Sequence, residues 1–290
     1  FINTIVMPSG VKEIGKFSFE NCSNLKEVNI PRTVEYIKEG TFYKCTSLES
    51  INLSSSIKTI ENKVFSGCDK LKIVKLPDTL EQIGDNAFYE CKSLGSIKFP
   101  SSLKSIGKLS FSNTKLKEVN IPQSVEVIEE STFYKCTSLE SINLPSTMKI
   151  IENETFSNCD ELKFVKLPDL LEQIGDYAFY NCKSLEDMTF PDSLKGIGEF
   201  SFSNTKLKDV IMPDSVIEIR SSAFRECIEL RRIELPESLR TIENDIFYNC
   251  TSLKEIEIPE GTKEIGILAF YNCVNLEDLN IPNSVEKFGS

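Results

Sequence analysis

One short pattern returns along this chain so regularly that it leaves room for few folds. Aligned on Val11-Lys12-Glu13-Ile14, equivalent segments begin at Val34, Ile57, Leu80, Leu103, Val125, Met148, Leu171, Leu194, Val216, Leu239, Thr262 and Val285. The step is 23 residues, except that the units starting at Leu103 and Leu194 are 22 long. A half-unit over residues 1–10 precedes twelve complete units over 11–284, and a stub over 285–290 follows. Each unit reads approximately V-x-x-I-G/E-x-x-x-F-x-x-C-x-x-L-x-x-V-x-I-P. All twelve Pro, from Pro8 to Pro282, share one column that only Ser54 interrupts. All ten Cys share another, and twelve of the nineteen Phe, from Phe19 to Phe270, share a third.

A longer period lies over the short one. FYKCTSLESINL at Phe42–Leu53 recurs unchanged at Phe133–Leu144, 91 residues on. The two short units are also 91 residues apart, and each replaces F-x-x-C-x-x-L by F-S-N-T-K-L, with Thr114 or Thr205 near the Cys position. A block of four units, three of 23 residues and one of 22, was duplicated whole. The identical stretches are copies of that block, not two active sites.

A unit this short cannot bury a core alone, because its surface is too large for its volume. Stacked units can, each covering its neighbour's apolar edge. The segment L-x-x-V-x-I, such as Leu25–Ile30, alternates as a short strand does and predicts a parallel sheet along the stack. Pro follows at the strand end, where a missing N–H is tolerated and the chain must turn. The V-x-x-I part predicts a return face of short strands or 3₁₀ turns, too short for an ordinary helix.

These residues resemble the leucine-rich repeats of the BspA type, found also in a treponemal protein and in trichomonad and amoebal surface proteins. L-x-x-V-x-I-P followed by V-x-x-I-G-x-x-x-F-x-x-C carries the resemblance, which covers essentially the whole chain. It implies a right-handed, curved leucine-rich-repeat solenoid, with a parallel β-sheet on the concave face, short strands or 3₁₀ turns on the convex face and little α-helix. The whole of 1–290 is expected to form a single solenoid domain, a fragment of a larger protein. The resemblance also implies a surface or secreted protein that binds host matrix proteins, host cells or other microbes.

Composition narrows the function. The chain opens FINTIVMPSG, without Met and without the basic start of a signal peptide, which suits an excised or mature fragment. No apolar run approaches the roughly 20 residues of a membrane span. A net charge of -11 opposes nucleic acid and anionic membrane surfaces, both of which need a basic face. There is no His, which removes the commonest general base and a common metal ligand. No cofactor is expected, and no enzyme. Gly196-Ile197-Gly198 lacks the third glycine of a dinucleotide loop, and Ser101-Ser102-Leu103-Lys104 matches S-x-x-K at a repeat junction. No calcium loop appears.

The columns read as core. One Cys per rung, with rungs about 4.7–4.9 Å apart, suits neither the converging geometry of a disulfide nor the clustered ligands of zinc. The ten Cys are expected as buried thiols acting as small apolar groups, and the Phe column as the spine. Asn21, Asn52, Asn153 and Asn249 begin N-x-S/T and are glycosylation candidates in a eukaryotic source.

Function is then expected on the outward positions of the strand sheet, the residues flanking the Val of L-x-x-V-x-I. Along the repeats these include Ile73/Lys75, Ser96/Lys98, Phe164/Lys166, Asp187/Thr189, Asp209/Ile211, Glu255/Glu257 and Asp278/Asn280. Ile73, Lys75, Lys98, Phe164, Lys166, Thr189 and Ile211 are the candidate partner contacts. Ile73 and Phe164 are apolar where polar residues are expected, and each sits two residues from a Lys. Glu234, Glu255, Glu257 and Asp278 crowd the far end. The other reading of these columns is a solvated face that drifted between copies.

Three functions fit: surface adhesion to a host or microbial protein, an architectural stalk of about 55–60 Å at roughly 4.8 Å per rung, or an intracellular protist scaffold, which free thiols suit. The expected partner is a protein, with no nucleic acid and no membrane insertion. The end units are expected to be the least stable, since no polar cap is evident.

Overall fold

A computed structural model describes residues 2–289, with no helix among them. Contacts divide the chain into two compact units, Phe1–Pro145 and Ser146–Ser290. Each stacks six of the repeats.

Every repeat circuit passes three hydrogen-bonded sides. The return side in the first unit is a six-stranded parallel sheet of two-residue strands: Glu13–Ile14, Tyr36–Ile37, Thr59–Ile60, Gln82–Ile83, Ser105–Ile106 and Val127–Ile128, in that spatial order. In the second unit Ile150–Ile151, Gln173–Ile174, Gly196–Ile197 and Glu218–Ile219 form one such sheet, and Thr241–Ile242, Glu264–Ile265 and Lys287–Phe288 another. Of the two forms expected for this side, strands are the one adopted. Ile at the second position points inward, so a ladder in register buries an unbroken isoleucine column.

The opposite side carries the strands expected from L-x-x-V-x-I. In the first unit Thr4–Val6 pairs with Glu27–Asn29, Ser50–Asn52 with Ile73–Lys75, and Glu118–Asn120 with Ser141–Asn143, all parallel. In the second, Asp209–Ile211, Arg232–Glu234 and Glu255–Ile256 form a three-stranded sheet, and Phe164–Lys166 is also a strand. The central residue of each triplet faces the core and its neighbours face out.

Three expected rungs are not strands: 96–98, 187–189 and 278–280. The first two directly precede the short repeats. With one residue missing, the turn ends early and Lys115 donates its amide to the Leu94 carbonyl at 3.0 Å, as Lys206 does to Leu185 at 3.0 Å. The next strand therefore meets its neighbour out of step, and the preceding segment finds no ladder. Lys98 and Thr189, expected on the sheet, lie on these segments instead.

The third side is the F-x-x-C turn, where amides bond to the same position one repeat on, for example Phe65 N–H to Ala87 O at 2.8 Å. The chain enters the left-handed region twice per repeat, two residues before the Phe and one before the Cys. Only Gly40 and Gly67 supply glycine there; Phe17, Leu109, Tyr177 and Phe200 hold the same conformation with full side chains. Asn fills six of these sites before the Cys position, as expected of a residue that tolerates this backbone.

Inside lie the Phe rings, stacked face to face. Centroids of successive rings are 5.2–5.8 Å apart from Phe19 to Phe133 in the first unit. They are 5.3–6.1 Å apart from Phe156 to Phe270 in the second. Beside them the ten free thiols form a column, eight buried and Cys22 and Cys273 half-buried. Cys68 Sγ donates to Phe42 O at 3.2 Å, and Cys45, Cys91, Cys182 and Cys250 repeat this one turn back. The thiol therefore fills an apolar slot and also occupies the second lone pair of a buried carbonyl. Burial pushes the Cys45 thiol up to about 12, with the nearby Cys22 adding and a backbone hydrogen bond opposing.

Candidate functional site: the three-residue strand side

Ile73 and Lys75 flank buried Val74 on one strand, and Phe164 and Lys166 flank buried Val165 on another. Strand alternation forces both flanking side chains into solvent. Ile73 is 65% exposed, Phe164 59% and Ile211 66%. No carboxylate lies within ion-pair reach of Lys75, Lys98 or Lys166. Of the seven expected contacts, five stand on strands, while Lys98 and Thr189 are exposed on the segments that lost theirs.

Charges on the return side behave differently. Lys104 Nζ lies 2.9 Å from Glu81 and Lys195 Nζ 2.6 Å from Glu172, each joining adjacent repeats. The Lys104 hydrogen bond and charge hold the Glu81 carboxyl below its usual range, and Lys195, then Lys149, do the same for Glu172. These pairs are solvated and align the stack more than they stabilise it.

The carboxylates expected at the far end of the strand side line a groove of about 690 Å³ in the second unit. Glu234, Glu255, Glu257, Asp214, Glu237 and Glu260 border it above apolar Ile233, Ile258 and Pro259. Arg232 pairs with Glu234 at 2.8 Å. A second groove, of about 450 Å³, lies on the return side of the first unit. Its acids are engaged in the fold: Glu61 accepts the Glu39 amide at 2.9 Å and Asp85 that of Lys108 at 2.9 Å.

This last contact belongs to a ladder that the sequence reading missed. Asn62, Asp85, Asn153, Asp176 and Asn244 each accept an amide hydrogen bond from the repeat that follows. The signal was a column of Asn and Asp just after I-G/E. Asn153, one of the glycosylation candidates, is committed to it, and Asn249 accepts from Asn272 at 2.9 Å. Asn52 projects from the strand side and Asn21 is exposed. Among the described residues no group of three or more Cys, Asp or Glu converges as metal ligands, and no helix is long and apolar enough to cross a membrane.

Parallel strands on two sides, one turn per 23 residues, about twelve turns and no helix define a leucine-rich-repeat β-solenoid. More narrowly, the chain belongs to the BspA type leucine rich repeat region family, which it matches in six copies over residues 1–80, 60–186 and 172–290. The family's domains typically serve as protein-interaction modules. No curated protein matches the sequence. Among solved structures it is similar to a leucine-rich repeat protein from Bacteroides ovatus, at 31% identity and a TM-score of 0.71, over 99% of this chain and 83% of that one. It is similar to a leucine rich cell surface protein from Faecalibacterium prausnitzii, at 29% identity and a TM-score of 0.59, over 88% and 79%. The leucine rich repeat protein of T. pallidum is 36% identical with a TM-score of 0.53, over 56% of this chain and 78% of that one.

Proposed function

We propose that this protein is a non-catalytic protein-binding module that acts at a cell surface, in adhesion or host interaction, through its three-residue strand side. The observation that carries the reading is the pairing of a large exposed apolar side chain with an unpaired Lys at Ile73/Lys75 and again at Phe164/Lys166. An aromatic or branched anchor beside a free cation is what a protein partner can cover at a profit in binding energy, because desolvating it leaves no buried charge unmatched if the partner supplies a carboxylate. The acidic groove of the second unit favours a partner whose charge varies along its length, basic where it meets Glu255 and Glu257. Likeness to a surface protein of a gut bacterium supports the location. The ten free thiols favour a second reading, a scaffold in a reducing compartment.

The test is binding to a panel of immobilised extracellular-matrix and plasma proteins, alongside the double variant Phe164→Ser, Lys166→Glu. Saturable binding that weakens at least about tenfold in a variant with an unchanged circular-dichroism spectrum supports the reading. Equal binding by both proteins moves the contact elsewhere, and no binding by either favours the scaffold or a stalk.

A further inference from the structure

Four separate observations coincide at each short repeat. The repeat lacks one residue. The strand before it is absent, and the amides of residues 95–99 and 186–190 donate to no backbone carbonyl. The position that is Leu, Ile or Met in the other ten repeats is Phe99 or Phe190 here, and each ring packs edge-on against the spine Phe of the short repeat. The Phe99–Phe111 centroids are 5.4 Å apart at 79° and Phe190–Phe202 5.5 Å at 89°. Finally, the three buried hydroxyls without a hydrogen-bond partner among the described residues, Ser110, Ser112 and Ser201, all belong to the short repeats.

The other two sides run through unbroken. Gln82–Ile83 pairs with Ser105–Ile106, and Gln173–Ile174 with Gly196–Ile197. The spine keeps its spacing, with Phe88–Phe111 at 5.2 Å and Phe179–Phe202 at 5.3 Å. One side of the circuit is thus unladdered where two are held.

We infer that the short repeats are compliant joints: at 95–99 in the first unit and 186–190 in the second, the strand side opens locally while the return side and the Phe spine stay closed. A ladder of amide bonds resists separation of adjacent rungs; a segment with none is restrained only by its buried side chains, here the wedged Phe. The deleted residue leaves space that Leu cannot fill, and Phe fills it without restoring the ladder. The joints flank strands that carry the exposed anchors, so opening changes the spacing between Ile73 and the strand Glu118–Asn120. The inference concerns the fold and stands whether or not that side binds a partner.

Hydrogen exchange on the intact chain tests it on the minutes-to-hours scale of local opening. Residues 95–99 and 186–190 should exchange at least about 100-fold faster than Ser141–Asn143 and Arg232–Glu234, their laddered equivalents, while return strands 105–106 and 196–197 stay as slow as 82–83 and 173–174. A variant with one Ser inserted between Thr114 and Lys115 together with Phe99→Leu should slow exchange at 95–99 and leave 186–190 fast. Phe99→Leu alone, which removes the wedge and keeps the gap, should speed exchange at 95–99 further. Protection at 95–99 equal to that at 141–143 in the unmodified protein overturns the inference. So does loss of return-side protection in step with the strand side, which means the repeat melts as a whole.

Discussion

Phe65→Ala offers a quantitative test of the spine. Phe65 is fully buried near the middle of the first unit and stacks on Phe42 at 5.7 Å and 2° and on Phe88 at 5.3 Å and 18°. Truncation removes the transfer energy of the ring and leaves a cavity, together about 3–5 kcal/mol in a core that cannot collapse. Collapse is opposed here because the backbone on either side is pinned by Phe65 N–H to Ala87 O and Phe42 N–H to Val64 O. Two ring pairs add about 0.5–1.5 kcal/mol each, so the loss lies at the upper end, about 4–6 kcal/mol. Phe270→Ala is the internal comparison. Phe270 is half-buried and stacks on Phe247 alone, at 5.6 Å, so its loss should be about 1.5–3 kcal/mol. Urea unfolding followed by far-ultraviolet circular dichroism reads both, since the chain has eight Tyr but no Trp to report by fluorescence. The Phe65 variant should shift the main transition, whereas the Phe270 variant should add a shallow early phase, because a stack unfolds from its weakest repeats. Equal shifts for the two variants would refute the claim that the rings act as a continuous column.

Two further outcomes are expected. A Cβ on Gly198 would lie 2.4 Å from Gly175 C and 2.5 Å from Asp176 N, backbone that cannot move aside, so Gly198→Ala should lower stability by about 2–3 kcal/mol in thermal melts. At Gly95 the nearest contact is 3.8 Å, and Gly95→Ala should be near neutral. The buried thiols should make the protein sensitive to alkali: Cys136 and Cys227 are raised to about 11 and Cys45 to about 12, mainly by burial. The folded state holds these protons more tightly than the unfolded chain, whose thiols titrate near 8.5–9. Their stabilisation is therefore complete below about pH 8.5 and declines as pH rises toward 11–12, by up to about 1.4 kcal/mol per pH unit per thiol. Melting temperature against pH checks this, and iodoacetamide at pH 8 should modify at most Cys22 and Cys273 before unfolding. Rapid alkylation of all ten would contradict the burial of the column.

The seven expected contact residues show how far linear pattern reaches. Ile73, Lys75, Phe164, Lys166 and Ile211 stand exposed on strands because alternation about a buried Val is a local property. Lys98 and Thr189 obey the same local pattern and do not stand on strands. Their rungs depend on the register of the repeat that follows, which is a non-local property.

The sequence by itself determined the period, the duplicated block, the identity of each core column and the presence of parallel strands, because a 23-residue unit has no way to hide its Phe, Cys, Leu and Ile except against its own copies. Only the tertiary structure decided which return form was taken, that the turn builds a third ladder, that each thiol donates to the carbonyl of the previous turn's Phe, and that Asn and Asp tie successive repeats. Those choices rest on distances between residues 21–26 apart in the chain, which hydropathy does not encode. The clearest case is the short repeat: one missing residue is visible in the sequence, but its consequence appears only where two neighbouring rungs must meet, in a lost strand, a wedged Phe and three buried hydroxyls with no partner.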